Sequence, residues 1–404
     1  MQTEPNSASP ARPFTPEPYS SALGGLIALA AALGIGRFVY TPILPAMITA
    51  LGLGRSSAGL IASANFLGYL FGAVLAAWPN LGGSRRLWLV GCLAISAITT
   101  GAMGLAHSLL PFVVLRCLGG AASAVVLVFA TAMVLERLAE ARRPGLSALH
   151  FAGVGTGIAA SAILVAALTG AGCSWRSLWL GSGLLSLAGT LAAALLIREG
   201  AAHAPPAAAR PQAGPATDPR LRRFITAYGL FGFGYVITAT FIVIIVRGTP
   251  ATSALEPEIW LVFGLAAAPS VVLWTLVSSR LGAPMAFALA CLVEAGGVLA
   301  SVAWPTVTGV FLAAILVGGT FMGLTALGLV QARALAPSDP RRALALMTGA
   351  FGLGQIAGPS FAGVVSDALG SFTVPSIAAA AALLIAGGLT LFPGRRRVLI
   401  QRGA

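Results

Sequence analysis

Long apolar segments are the feature that most constrains how this chain of 404 residues folds. A helix needs about 20 mainly apolar residues to cross the hydrocarbon core of a bilayer. The sequence contains twelve such segments, and an Ala- and Pro-rich stretch separates the sixth from the seventh. The predicted spans are 22–48, 56–79, 87–106, 109–135, 147–170, 176–197, 223–246, 257–279, 284–304, 307–334, 343–366 and 371–392.

Composition excludes a soluble protein. The chain is 57% hydrophobic and 9% charged, whereas a soluble domain needs about 25% charged residues. Disorder requires low hydrophobicity, so a disordered chain is excluded as well. Four scattered cysteines without a C-x-x-C pair indicate neither a disulfide framework nor a metal site. We expect an all-α integral membrane protein that has no cofactor and no cleaved signal peptide.

The distribution of arginine predicts the orientation. All 24 basic residues are Arg, and the formal net charge is +13. With both termini inside, nineteen arginines fall in cytoplasmic segments and three, Arg55, Arg176 and Arg247, fall in outer loops. Such an excess of inner positive charge orients membrane proteins. We therefore expect a multi-pass protein of a bacterial inner membrane, and we exclude nucleic acid as a partner because no soluble domain carries the charge.

The two halves of the chain repeat, as parallel transporter repeats do. Gly34 and Gly36 recur as Gly232 and Gly234, 198 positions later. Further pairs at an offset of 199 are Gly119 and Gly120 with Gly318 and Gly319, Arg142 and Arg143 with Arg341 and Arg342, and Gly153 and Gly155 with Gly352 and Gly354. The predicted domains are a disordered tail 1–21, a six-helix bundle 22–197, a cytoplasmic linker 198–222, a second six-helix bundle 223–393 and a cytoplasmic tail 394–404.

The first span carries the sequence GIGRFVYTPILP over residues 34–45, which resembles the opening signature of the YbfB/YjiJ family of major facilitator superfamily transporters. Similar residues follow at Ala58-Gly59, Asn65 to Tyr69, Gly72, Tyr228 to Tyr235, Ala239 to Phe241 and Gly354 to Pro359. The resemblance covers about residues 22–392. It implies a monomeric secondary transporter with two pseudo-symmetric six-helix bundles, which moves a small solute by alternating access.

General motifs of the superfamily are present in altered form. The loop 79–86 after the second span lacks the usual acidic residue, which puts the family's charge latch in doubt. Arg116 with Gly120 resembles the family's Arg-x-x-x-Gly pattern, which is tied to proton coupling. The fifth span has Gly153, Gly155 and Gly157 without the Pro of the antiporter motif, so import and export both stay open.

Two arginines lie inside predicted spans. Arg37 is about 15 residues into the first, roughly 22 Å along the helix, and a central Arg costs at least about 2.5 kcal/mol to insert. It either faces a cavity or binds carbonyls or an acid purely to hold helices together. Arg116 lies about seven residues into the fourth span and either reaches the cavity or snorkels outward. Because Arg binds planar anions bidentately, the pair predicts a carboxylate-bearing substrate.

The remaining candidate residues form three groups. Polar side chains of the cavity-lining spans are predicted to contact substrate, although each alone is as compatible with an interhelical hydrogen bond: Arg37, Tyr40, Asn65, Tyr69, Arg116, Tyr235, Thr238 and Gln355. The candidates for proton coupling are Glu294, Arg116 and His150. The predicted hinge and packing residues are Gly34, Gly36, Pro42, Pro45, Gly153, Gly155, Gly354, Gly358 and Pro359.

Two of the coupling candidates have alternative interpretations. Glu294 is the only carboxylate at mid-membrane depth, where desolvation suits it to carry a proton. It is otherwise a packing residue, because the ninth helix is peripheral in the resembled fold. His150 is either a titrating gate or an interfacial histidine near the lipid headgroups.

Among possible functions we prefer a secondary transporter of a small organic anion, coupled to protons. The alternatives are broad efflux of lipophilic or drug-like compounds, a transporter-like sensor, and a membrane enzyme. The Gly181-Ser182-Gly183 sequence resembles a nucleophile turn but is better explained by small-residue packing. The chain has neither a Walker motif nor any Lys, so direct use of ATP is not expected.

Overall fold

A computed structural model describes residues 17–78, 81–198, 218–337 and 339–391, and these residues form helices without any strand. The predicted tail 394–404 and most of the predicted tail 1–21 and linker 198–222 lie outside the described residues. The helices of the N-terminal half are α1 (Glu17–Leu29), α2 (Tyr40–Leu51), α3 (Arg55–Ala76), α4 (Arg85–Ala102), α5 (Leu109–Glu140), α6 (Ser147–Gly170) and α7 (Trp175–Leu196). Those of the C-terminal half are α8 (Pro219–Arg247), α9 (Glu256–Ala267), α10 (Ser270–Leu281), α11 (Ala283–Ala303), α12 (Val307–Leu335), α13 (Pro340–Leu369) and α14 (Thr373–Leu391).

The first predicted span is one broken helix. After α1 the chain widens into a π-helical segment, Ala30–Ile35, turns at residues 36–39 and continues as α2. Pro42 lies in the first turn of α2, where a helix has no partner for the missing N–H, whereas Pro45 lies inside it. The helix is thus interrupted within the segment that contains Gly34, Gly36, Pro42 and Pro45.

Helices occupy all twelve predicted positions, but not every one is a regular apolar span. In the described ranges, ten helical segments are long and apolar enough to cross a membrane. The predicted span 257–279 is two helices, α9 and α10, bent by 44°; the bend precedes Pro269, which cannot donate a backbone hydrogen bond. The eleventh predicted span, α13, is 30 residues long but is more polar than the ten, so a count of twelve spans stays a prediction.

The largest interfaces between the two halves are α3 against α13, α6 against α9, and α2 against α8. In the last of these, the hydroxyl of Thr41 donates to the carbonyl oxygen of Ala239 at 2.9 Å, across a sequence separation of 198 residues. Where α3 begins and α13 ends, Asp367 accepts hydrogen bonds from the backbone N–H groups of Arg55, at 2.9 Å, and Ser56, at 2.7 Å. The carboxylate from one half therefore caps a helix of the other.

Glycines allow the helices to approach closely, as expected for membrane interfaces. An added Cβ on Gly157 of α6 would lie 2.6 Å from Cα of Ala30 in the π-helical segment. The predicted packing glycines also face neighbouring backbone or side chains: Gly34 faces Gly157, Gly36 faces Ser96, Gly153 faces Leu26, Gly155 faces Ala268, Gly354 faces Gly229 and Gly358 faces Val236. Pro359 lies inside α13, and its carbonyl group faces Gly59 of α3.

Two helical glycines test the importance of this close approach. Replacing Gly157 with Ala pushes a methyl group into Ala30, so we expect a loss of about 1–3 kcal/mol in stability and a lower Tm in detergent. Gly91 of α4 has open space around its Cα, so Gly91→Ala is a matched control that should leave Tm unchanged or raise it. Equal Tm values for the two variants would contradict the tight α1–α6 contact.

Candidate functional site

Arg37 lies at the break of the first span, and its side chain is 5% exposed. The guanidinium carbon Cζ is 4.5 Å from the ring centroid of Tyr69 and 4.6 Å from that of Phe66, both on α3. These aromatic faces offset part of the cost of burying the charge. Among the described residues, however, nothing accepts a hydrogen bond from its Nε or Nη2. Arg37 is thus a buried cation with two unused donors.

Arg116 of α5 is equally buried, at 4% exposure, but is used differently. Its Nη1 donates to the carbonyl oxygen of Gly36 at 2.9 Å, and its Nη2 donates to that of Arg37 at 2.8 Å. Its Cζ also lies 5.1 Å from the ring centroid of Tyr40. Both carbonyls belong to the turn at which the first helix breaks. Binding to backbone carbonyls is one of the alternatives predicted for Arg37, but it is Arg116 that has this geometry.

Two other predicted cavity residues hold helices together. The Tyr40 hydroxyl donates to the carbonyl oxygen of Ala58 at 2.8 Å, which ties α2 to α3. The Asn65 amide nitrogen donates to the carbonyl oxygen of Arg116 at 3.0 Å, which ties α3 to α5. Tyr69, the remaining candidate of α3, lies against Arg37. Tyr40, Asn65 and Tyr69 therefore hold α3 and α5 in the positions in which these helices surround Arg37.

Tyr235 of α8 and Gln355 of α13 form the polar part of the site in the C-terminal half. The Gln355 amide nitrogen donates to the Tyr235 hydroxyl. The Tyr235 ring is nearly parallel to those of Phe321 and Phe351, with centroids 5.6 and 5.9 Å away. Sequence analysis missed both phenylalanines, since nothing in their spacing distinguishes them from the other 17 of the chain. Together the rings make an aromatic wall, which we define as Phe38, Phe321, Tyr235 and Phe351.

Arg37 and Tyr235 occupy equivalent positions of the two halves. They are 198 residues apart, the same separation as Thr41 and Ala239, which are in contact. Equivalent residues meet only near the axis that relates the halves. Tyr235 is also close enough to Arg37 to interact with it electrostatically. The site therefore lies between the halves, at their axis.

Glu294 of α11 is fully buried. Thr320 lies beside it, but the Thr320 hydroxyl donates to the carbonyl oxygens of Leu316, at 2.6 Å, and Val317, at 3.1 Å. Within the described part of the chain, neither carboxyl oxygen of Glu294 has a hydrogen-bond partner. Tyr235 lies within electrostatic range of both Glu294 and Arg37. Glu294 thus faces the bundle interior and not the lipid.

His150 lies apart from this cluster. It is fully buried where α1, α5 and α6 meet, and its Nε2 is 3.0 Å from the hydroxyl of Thr131. Its Nδ1 faces the backbone of Gly25, and its ring packs edge-on against Phe151 with centroids 4.9 Å apart. The structure therefore places His150 in a buried junction of three helices, near the start of α6.

The helical architecture and the buried polar site between two halves define a membrane transporter of the major facilitator type. A crystal structure of the nucleoside transporter NupG is similar, with 18% identity, a TM-score of 0.64, and coverage of 92% of this chain and 98% of that one. A bacterial homologue of the human lysosomal transporter Spinster, in an inward-facing and occupied conformation, has 16% identity and a TM-score of 0.70, with coverage of 93% and 97%. At these identities the likeness shows the fold alone.

The amino-acid sequence shows which protein family the chain belongs to. The model of the family described as uncharacterised MFS-type transporter YbfB matches residues 29–391. The chain belongs to this family of major facilitator superfamily transporters, as the first-span signature predicts. None of the curated proteins compared with it is a match. The protein is thus a multi-pass membrane transporter that acts on a small molecule in a lipid environment.

The role of Arg116 as a donor to backbone predicts a large effect on stability. Replacing Arg116 with Met leaves the carbonyls of Gly36 and Arg37 without their donors, at a cost of about 1–3 kcal/mol for each buried group. We expect a marked fall in Tm and in the yield of monodisperse protein. Arg280→Met, at the exposed inner end of α10, is the control and should behave as wild type. A wild-type Tm for Arg116→Met would show that the broken segment needs no such support.

Proposed function

We propose that the protein is a secondary active transporter that moves a small organic anion by alternating access, and that Arg37 binds the substrate carboxylate. The observation that carries the proposal is the pair of unpartnered donors on Arg37. Nε–H and Nη2–H point from the same edge of the guanidinium. That edge pairs with both oxygens of a carboxylate through two parallel hydrogen bonds.

Energetics support the same assignment. A buried donor without an acceptor costs about 1–3 kcal/mol, and more when it is charged. Arg116 avoids that cost at its two terminal nitrogens through the carbonyls of Gly36 and Arg37, whereas Arg37 leaves two donors open beside the axis of the two halves. A bound carboxylate satisfies both donors and the charge together. In this proposal Arg37 contacts substrate and Arg116 is a positioning residue.

A second candidate is efflux of lipophilic or drug-like compounds, which the aromatic wall favours. Phe38 and Phe321 pack edge to face at 5.9 Å, and apolar rings accept many ligands without directional contacts. However, Arg37 is a positive charge with few hydrogen-bond acceptors beside it to offset that charge. It therefore repels lipophilic cations. The organic-anion proposal therefore accounts for more of the site.

Glu294 is proposed to couple transport to protons. Burying an ionised carboxylate without a partner is expensive, so the fully enclosed side chain is expected to be neutral in this conformation. Glu294 lies within electrostatic range of Tyr235, and Tyr235 in turn lies within electrostatic range of Arg37. Proton release on one side of the membrane and uptake on the other then bias the access of an anion. The arginine distribution supports cytoplasmic termini in a bacterial inner membrane for this orientation.

Ligand-dependent stabilisation of the purified protein tests the substrate class. We expect butyrate and benzoate to raise Tm and ethidium, a lipophilic cation, to have no effect, because the unpartnered donors on Arg37 match only the anions. Arg37→Gln should abolish the shifts without unfolding the protein. Arg176→Gln, at the exposed start of α7, should retain them. Stabilisation by ethidium alone, undiminished in Arg37→Gln, would reverse the assignment in favour of efflux.

Transport in proteoliposomes tests the role of Glu294. With protein-free liposomes defining passive flux, an inward proton gradient should drive benzoate uptake by the wild type. Glu294→Gln removes the titrating group but keeps its shape, so we expect gradient-driven uptake to fall at least tenfold while benzoate–benzoate exchange persists. Glu258→Gln, on the exposed outer end of α9, is the control. Undiminished gradient-driven uptake in Glu294→Gln would rule out this coupling role.

A further inference from the structure

We propose that the substrate is a planar aromatic monocarboxylate with a hydrogen-bond donor at the end opposite its carboxylate. This assignment rests on the organic-anion function proposed above and extends it to the other end of the site. Three features of the described residues lead to it: the single available cation, the aromatic wall, and two unpartnered oxygens in the C-terminal half.

The charges of the site favour one carboxylate and disfavour two. Arg37 offers one complete edge of donors. Each terminal nitrogen of Arg116 already donates to a backbone carbonyl, so this guanidinium is held by the broken helix and only its Nε has no hydrogen-bond partner. Glu294, which also lies within electrostatic range of Tyr235, is itself an acid. A second substrate carboxylate would therefore be buried without a counter-charge, which is strongly unfavourable.

The aromatic wall leads from Arg37 to the polar residues of the C-terminal half. Cζ of Arg37 is 5.3 Å from the ring centroid of Phe38. The Phe38 centroid is 5.9 Å from that of Phe321, which is 5.6 Å from that of Tyr235. A planar π-system gains offset-stacked and edge contacts on such a surface beyond simple burial of area. A flat aromatic body suits this path better than a puckered ring of the same size.

The far end of the path presents two buried oxygens that can accept a hydrogen bond. Oε1 of Gln355 and Oγ1 of Thr238 are buried, and the described residues provide neither with a hydrogen-bond partner. The Gln355 amide nitrogen is already occupied by the Tyr235 hydroxyl, which leaves the oxygen as its free group. Thr238 follows Tyr235 by three residues on α8, on the same helix face. A ligand N–H or O–H would satisfy the acceptor that each side chain leaves open.

The chemistry is tested by the affinities of five size-matched probes for the wild-type protein, measured by calorimetry. We expect 4-aminobenzoate to bind about three- to tenfold more tightly than benzoate, through one added neutral hydrogen bond. We expect 4-nitrobenzoate, which only accepts, and cyclohexanecarboxylate, which is puckered, to bind more weakly than benzoate. Terephthalate, a dicarboxylate, should not bind measurably.

Variants locate the second contact. In Thr238→Val, which preserves shape, and in Gln355→Leu, the advantage of 4-aminobenzoate over benzoate should shrink to less than twofold while benzoate affinity is retained. Thr238→Val keeps the test valid if Gln355→Leu does not fold, because it leaves the Gln355–Tyr235 contact intact. Wild-type selectivity in a folded Thr238→Val variant would remove Thr238 from the site.

The two proposals fail in different ways. Binding of all the monocarboxylates with equal affinity, but only when Arg37 is present, would overturn the aromatic-donor assignment and leave the organic-anion function standing. A preference for 4-nitrobenzoate would likewise overturn it, since the far end would then present a donor. Binding that persists in Arg37→Gln would overturn the organic-anion function itself.

Discussion

The hydrogen bonds from Arg116 to the broken first span are the interaction on which the rest of the site depends. Hydrocarbon offers no partner for a free backbone carbonyl, so a helix can break in a membrane only where protein groups replace the lost bonds. The guanidinium of Arg116 reaches the carbonyls of both Gly36 and Arg37. The turn is thereby stable inside the bundle, and the Arg37 side chain is placed at the axis with its donor edge unused.

The repeat explains where the site lies, and divergence of the repeat explains its chemistry. Gly34 and Gly36 match Gly232 and Gly234, so the two halves approach their axis through equivalent helices. At the equivalent position, however, one half carries Arg37 and the other carries Tyr235. One side of the axis is therefore cationic and the other aromatic and neutral. In the proposed site, a small molecule between them would meet two different surfaces, which would give it a preferred orientation.

The sequence predicted the helices well because the bilayer imposes a length and an apolar composition that can be counted. It also predicted the break near Gly34 and Gly36, but not the bend before Pro269, since the flanking residues remain apolar through it. It did not separate the roles of the two arginines. Which of them reaches the carbonyls depends on the depth and rotation of α5 relative to the first helix, and no local pattern encodes that relation.

Alternating access requires the halves to separate at one side without leaving polar groups that lack hydrogen-bond partners. The hydrogen bonds between the halves differ in this respect from those within the N-terminal half. Between the halves, the Ser63 hydroxyl donates to the carbonyl oxygen of Ile356 at 2.7 Å, and Asp367 caps α3. Water can replace such bonds when an interface opens. Within the N-terminal half, the bonds of Arg116 stay buried and have no such substitute. In the proposed alternating-access cycle, the halves would rock about the Thr41–Ala239 contact as units, and the broken helix with Arg37 would move as a part of one of them.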